Sequence, residues 1–162
     1  MFHGAAAKTP RVRQLFTSLI TRAELVLLGS SVADELPTGG QILKVTVCCG
    51  SGTAHTWTEM LAPFLRDRYG INVEPGSLNL WADGEILWRQ PFTADAGGRE
   101  WELCPLVLEE RAIGVAFRSN RDSPEFLEVL SPVKLRSRLG NAKDGDRIRI
   151  RLLSGTDLGP AV

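Results

Sequence analysis

The chain has 162 residues, 43% of them hydrophobic and 23% charged, with 19 basic residues balanced by 19 acidic ones. That length suits one domain around a single core, and the composition is that of a globular chain rather than a disordered or fibrous one. Zero net charge argues against a chain whose main partner is DNA or RNA, although it leaves room for a local basic patch.

No stretch reaches the roughly 18 apolar residues of a bilayer span, and no signal-peptide pattern stands out, so neither membrane insertion nor export is expected. The cysteines are Cys48, Cys49 and Cys104. An adjacent pair bridges to itself poorly, and the count is odd with no CxxC spacing. This predicts neither a disulfide framework nor a zinc site, and it fits a reducing cytoplasm.

Residues 1–10 are small and polar and read as a frayed start. Leu15, Leu19, Ala23 and Val26 or Leu27 then recur at helical spacing after Thr9-Pro10, which predicts an amphipathic helix over 11–28 that serves packing or dimerisation. Pro37-Thr38-Gly39-Gly40 breaks it. Gln41 to Cys48 is rich in branched aliphatics and reads as a strand. It runs into Gly50-Ser51-Gly52-Thr53-Ala54, followed by Trp57, Met60, Leu61, Phe64 and Leu65 on one helical face. Thr56 with Glu59 suggests a capping box, Gly70 a stop, and Pro63 a kink or a fresh start inside that helix.

From Ile71 to Phe117 short apolar runs alternate with turn signals at Glu74-Pro75-Gly76, Asp83-Gly84 and Ala96-Gly97-Gly98, the pattern of a barrel or sandwich. Leu103–Leu108 and Ala112–Phe117 read as two of its strands. Ser131-Pro132 opens a short helix closed by Gly140. Lys143-Asp144-Gly145-Asp146 turns into Arg147-Ile148-Arg149-Ile150-Arg151-Leu152, with arginines on one face and aliphatics on the other. The domain reading is a leader and helix over 1–40, a barrel over 41–155 and a tail over 156–162.

Three segments have chemistry to offer. The glycine-rich run at 50–54 lies between a strand and a helix, where backbone N–H groups and the helix dipole suit phosphate. It lacks a Walker GK[ST], and a plain glycine turn explains it as well. In Gly76-Ser77-Leu78-Asn79-Leu80, inward leucines would put Ser77 and Asn79 together on the opposite face. Their oxygens are hard neutral ligands able to complete a Mg²⁺ shell; an ordinary polar strand face is the alternative. In Glu125 to Arg136 an acidic strand precedes a helix carrying Lys134 and Arg136. A solvated charged surface would look the same.

In this order, with Lys143 to Leu152 as a fourth motif, the segments resemble the archaeal CTP-dependent riboflavin kinases over roughly residues 41–153. The resemblance implies a mainly β fold, a six-stranded Greek-key cradle-loop barrel with short helices. It also implies CTP as donor, riboflavin as acceptor, Mg²⁺, and FMN plus CDP as products. Carried over by position, Gly50, Ser51, Gly52, Thr53, Ala54, His55 and Thr56 would line the nucleotide phosphates. Val133, Lys134, Leu135 and Arg136 would contact the cytidine nucleotide, partly through backbone groups, and Ser77 and Asn79 would hold Mg²⁺. Glu128 would meet the flavin near the accepting hydroxyl as general base or orienting group. The family has a Thr-His-Tyr-like stretch where this chain has Ser119-Asn120-Arg121-Asp122-Ser123, which leaves Asn120 or Ser123 as the flavin-side donor.

Of the four tryptophans, Trp57 reads as core, with Trp81, Trp88 and Trp101 in the barrel wall or partly exposed; an isoalloxazine stacking surface is the other reading. The expected partners are small molecules, with no nucleic acid or membrane, and the protein is a monomer or homodimer. Two further readings stand beside the kinase. One is a homologue that binds nucleotide or flavin without turnover. The other is a non-enzymatic cradle-loop barrel regulator, for which Arg147, Arg149 and Arg151 supply a basic face.

Overall fold

In the computed structural model, residues 40–50, 54–69, 72–88 and 92–153 are described. The expected helix over 11–28 and the tail lie outside them. Two extended runs meet first. Gln41–Cys48 forms β1, burying Val45 and Val47 and turning Lys44 outward. Arg147–Leu152 forms β7, antiparallel to β1, with Ile148 opposite Val45. The 143–146 turn sets this register: Lys143 N–H donates to the Asp146 carboxylate at 2.7 Å, and Gly145 N–H, at φ +91°, donates to the Val47 carbonyl at 2.7 Å.

The other strands are β2 (Leu78–Ala82), β3 (Phe92–Ala96), β4 (Arg99–Leu108), β5 (Ala112–Ser119) and β6 (Phe126–Leu130). Neighbours run β3-β4-β5-β6-β2-β1-β7, and β7 pairs again with β4, opposing Leu106 to Leu152. All pairings are antiparallel. Closure from β4 through β7 makes a six-stranded barrel, with β3 a flap on its side. The β4–β5–β6 meander with β7 returning beside β4 is a Greek key, as expected. Closure removes the free edges that an open sheet would present.

Alternation divides each strand between two packing environments. Val47, Leu80, Leu106, Leu127, Val129 and Ile150 fill the barrel. Outside it, Trp101 and Leu103 of β4 and Val115 and Phe117 of β5 form a second cluster with Leu61 and Leu65. Those two leucines belong to α1, Ala54–Tyr69, a single 16-residue helix. The helix passes through Pro63, which is exposed, without ending. Because α1 begins at Ala54, Thr56 lies inside its first turn and is not a capping residue.

The second helix, α2, covers only Leu135–Arg138, beginning later than Ser131-Pro132 suggested, and it inserts Leu135 into the barrel core. The tryptophan reading holds for Trp101 as a residue of the barrel wall and is corrected for Trp57. Trp101 is 2% exposed at the heart of the outer cluster, whereas Trp57 packs only partly buried against its margin. Bulk alone did not reveal which ring the helix would cover. Among the described residues, no helix is long and apolar enough to cross a membrane.

Candidate functional site

The site grows from the β2–β6 pairing. Leu78 and Leu80 of β2 and Leu127 and Val129 of β6 point into the barrel, so Asn79 and Glu128, which lie opposite each other in register, point out of it. Cys48 of β1 lies beside Asn79 and Phe117 of β5 beside Glu128, completing a row across four strands. An outward strand position is normally wet. Asn79 is nevertheless only 4% exposed and Glu128 9%.

Burial leaves three oxygens without a hydrogen-bond partner among the described residues: Ser77 Oγ, Asn79 Oδ1 and Glu128 Oε2. Each such buried group costs about 1–3 kcal/mol, and buried polar atoms are otherwise nearly always paired. Three of them on two facing strand segments mark a place built for something else to bind. Ser77 stands two residues before Asn79, on the same side. The Glu128 carboxyl is raised to about 7, first by burial and then by the negative charge of Asp122, while a weak polar contact with the Ser77 hydroxyl offsets part of this.

Asp122 was not singled out from the sequence. It lies in the turn after β5, where its carboxylate accepts from Ser119 N–H at 2.6 Å, and its charge reaches Glu128 through the fold alone. Asn120 is exposed at the head of that turn. Of the two residues, Asp122 is the one whose charge is felt at Glu128.

Beside this row opens a cleft of about 200 Å³. Glu74, Pro75, Gly76 and Ser77 form one bank, and Ser131, Val133, Lys134 and Arg136 the other. Glu74 N–H donates to the Ser131 carbonyl at 2.8 Å and ties the banks together. The Ser131 hydroxyl, buried and also missed in the sequence, donates to the Ile113 carbonyl at 2.8 Å and accepts from Val133 N–H at 3.3 Å. Lys134 is exposed at the mouth. Leu135 is buried against the barrel core and also lines the cleft floor.

Arg136 has several protein partners already. It donates to the Cys48 carbonyl at 3.2 Å, the Ala142 carbonyl at 3.1 Å and the Asp144 carboxylate at 2.6 Å. It thereby braces the end of β1, two residues before Gly50, against α2 and the turn leading to β7. Burial is the first cause that pushes the Cys48 thiol up, followed by the neighbouring Cys49. Gly50 is exposed just past β1. Ser51, Gly52 and Thr53 lie outside the described residues, while Ala54, His55 and Thr56 form the first turn of α1.

The structure thus brings Ser77, Asn79 and Glu128 together beside the cleft of Val133, Lys134 and Arg136, with Gly50 at the adjoining strand end. A carboxyl with a pKa near neutrality can hold and deprotonate a hydroxyl, and the neutral oxygens beside it suit a hard cation.

No protein-family model matches the chain. Among characterised proteins it is similar to the riboflavin kinase of Pyrococcus furiosus, with 30% identity over 142 residues that cover 78% of this chain and 64% of the relative. The chain therefore spans less than two thirds of that relative's length.

Proposed function

We propose that this chain is a riboflavin kinase that moves the terminal phosphoryl group of CTP to the 5′-hydroxyl of riboflavin, giving FMN and CDP. The observation that carries this reading is the buried Asn79–Glu128 pair with its unpartnered oxygens, beside a cleft with Lys134 at its mouth. The similarity to a riboflavin kinase supports the acceptor and the class of reaction.

In this reading Glu128 orients the 5′-hydroxyl and accepts its proton as the new P–O bond forms and the bond to the leaving CDP oxygen breaks. A carboxyl poised near 7 suits that task at neutral pH. Lys134 and the N–H groups from Gly50 through the first turn of α1 bind the phosphates, with α1's positive dipole end behind them. Backbone groups of Val133 and Leu135 read the base. Ser77 and Asn79 fit Mg²⁺, because their buried oxygens are hard, neutral and lack protein partners. When bound there, the ion would neutralise charge on the triphosphate oxygens. Most of the rate then comes from alignment and electrostatics, because phosphoryl transfer asks little covalent chemistry of the protein.

The test is direct. Purified protein is incubated with riboflavin, Mg²⁺ and either CTP or ATP, and FMN is sought by chromatography. FMN formed with CTP supports the proposal. FMN formed with ATP alone overturns the donor. Flavin or CDP binding without FMN replaces the proposal with a binding-only homologue.

A further inference from the structure

Trp81 is 43% exposed, one of three large hydrophobic residues left open among the described residues, the others being Ile42 and Leu87. A single exposed ring is ordinary on a protein surface, so its exposure alone carries nothing. Trp81 is not isolated. Its register partner across β2–β6 is Phe126, and the two rings sit 5.2 Å apart at a 51° tilt. At that tilt Phe126 does not lie flat on the indole.

The position of this pair gives it meaning. Trp81 follows Asn79 by two residues on β2, and Phe126 precedes Glu128 by two on β6, so both pairs lie on the same outward side. Two residues along a strand span about 7 Å. A five-carbon polyol joining a ring nitrogen to a terminal hydroxyl also reaches about 7 Å when extended, with single bonds near 1.5 Å. An acceptor whose terminal hydroxyl rests at Glu128 would therefore carry its ring system onto Trp81. Thr46 lies beside Trp81 on β1, and the Arg147–Asp83 ion pair, 2.6 Å long, stands just beyond as a polar rim.

We propose that Trp81, backed by Phe126, is the seat for the planar ring of the acceptor and sets its affinity. This inference rests on the riboflavin kinase reading but makes a separate claim, since the chemistry at Glu128 could proceed with the ring held elsewhere.

The experiment titrates riboflavin into the full chain in the presence of CDP and Mg²⁺ and follows flavin fluorescence, which falls when the ring stacks on an indole. Trp81→Ala is expected to weaken binding by about tenfold and to remove most of the quenching. Trp81→Phe should restore part of the affinity. Ile42→Ala, at a still more open position on β1, should bind as the wild type does. In turnover, Trp81→Ala should raise the KM for riboflavin by a similar factor and leave the KM for CTP unmoved. Wild-type affinity and quenching in Trp81→Ala would overturn the seat while leaving the kinase intact. A wild type that binds riboflavin but makes no FMN would sink the kinase reading, and the same binding comparison would still decide the seat. A wild type that binds no riboflavin overturns the seat.

Discussion

Asn79 and Glu128 stand directly opposite each other on β2 and β6, both buried, each with a side-chain oxygen that no described residue satisfies. A sheet could fill these positions with a Val–Thr pair and gain stability. Retaining an amide and a carboxyl in this state lowers stability, and the cleft beside them gives that loss a use.

Asn79 should therefore matter more to turnover than to folding. The ground is not exposure, since the residue is only 4% exposed, but the unsatisfied state of its side-chain oxygen. Removing a buried group that has no partner forfeits little. Asn79→Ala is expected to keep its unfolding free energy within about 1 kcal/mol of wild type, and Asn79→Leu to match or exceed it. FMN formation at saturating substrates should fall by about 100-fold or more, given the roughly 3 kcal/mol scale of a lost electrostatic contact in a transition state. Thermal unfolding and a chromatographic assay on the same preparations check both halves. A parallel loss of fold and rate would mean that Asn79 is structural.

Glu128 gives a pH signature. Folded, it holds its proton up to about 7; unfolded, it releases it near 4.5. Between those values the native state binds more protons than the unfolded state, so this residue's contribution is fully present below about 4.5 and is lost as pH rises through 7. Glu128→Gln abolishes that loss. Without nucleotide or divalent ion, the variant should gain on the wild type by on the order of 1–3 kcal/mol between pH 5 and pH 8. Urea unfolding of both proteins across that range measures the difference. Parallel curves would show that Glu128 titrates as an ordinary surface acid.

Much of this architecture could be read from period-two patterns. Gln41–Cys48 matches β1 residue for residue, and Arg147–Leu152 matches β7. The shared side of Ser77 and Asn79 followed from inward Leu78 and Leu80. Alternation tells which side a residue faces but not what covers that side. Burial of Asn79 and Glu128 depends on chain segments far apart in sequence. The same blindness misplaced Trp57: α1 lays Leu61 and Leu65 over Trp101 and Leu103 of β4, and leaves Trp57 at the margin. The start of α2 was misjudged because Ser131 serves the Ile113 carbonyl and not a helix end.

Arg136 separates bracing from charge. Its fork reaches three protein oxygens, whereas lysine offers one ammonium on a flexible stem. If the brace on β1 is what serves the glycine run, Arg136→Lys should behave nearly as Arg136→Ala does, each raising the KM for CTP by about tenfold, or 1.4 kcal/mol. The half-exposed pair with Asp144 contributes little to stability, so folding should change by less than about 1 kcal/mol. Steady-state kinetics with varied CTP decide the matter. Full rescue by lysine would assign Arg136 to direct charge contact with the nucleotide.

The arginine face of β7 was the one feature in the sequence that favoured a nucleic-acid partner. In the fold, Arg147 pairs with Asp83 at 2.6 Å and Arg151 meets Glu110 through two hydrogen bonds of 2.7 and 3.0 Å, whereas Glu109 accepts from the backbone N–H of Arg149 and not from its guanidinium. Arg147 holds the Asp83 carboxyl below its ordinary value, and Arg151 does the same for Glu110, so both acids stay charged at neutral pH. Neutralised side chains release few counterions from DNA. The slope of log K against log salt should therefore be well short of the roughly −3 that three free arginines would give. Replacing the acids in an Asp83→Asn, Glu110→Gln double variant unmasks the charge and should steepen the slope toward that value. Fluorescence anisotropy with a short duplex, across a salt series, measures it. A wild-type slope already near −3 would return the regulator reading to contention, because it would mean that these ion pairs open readily for phosphate.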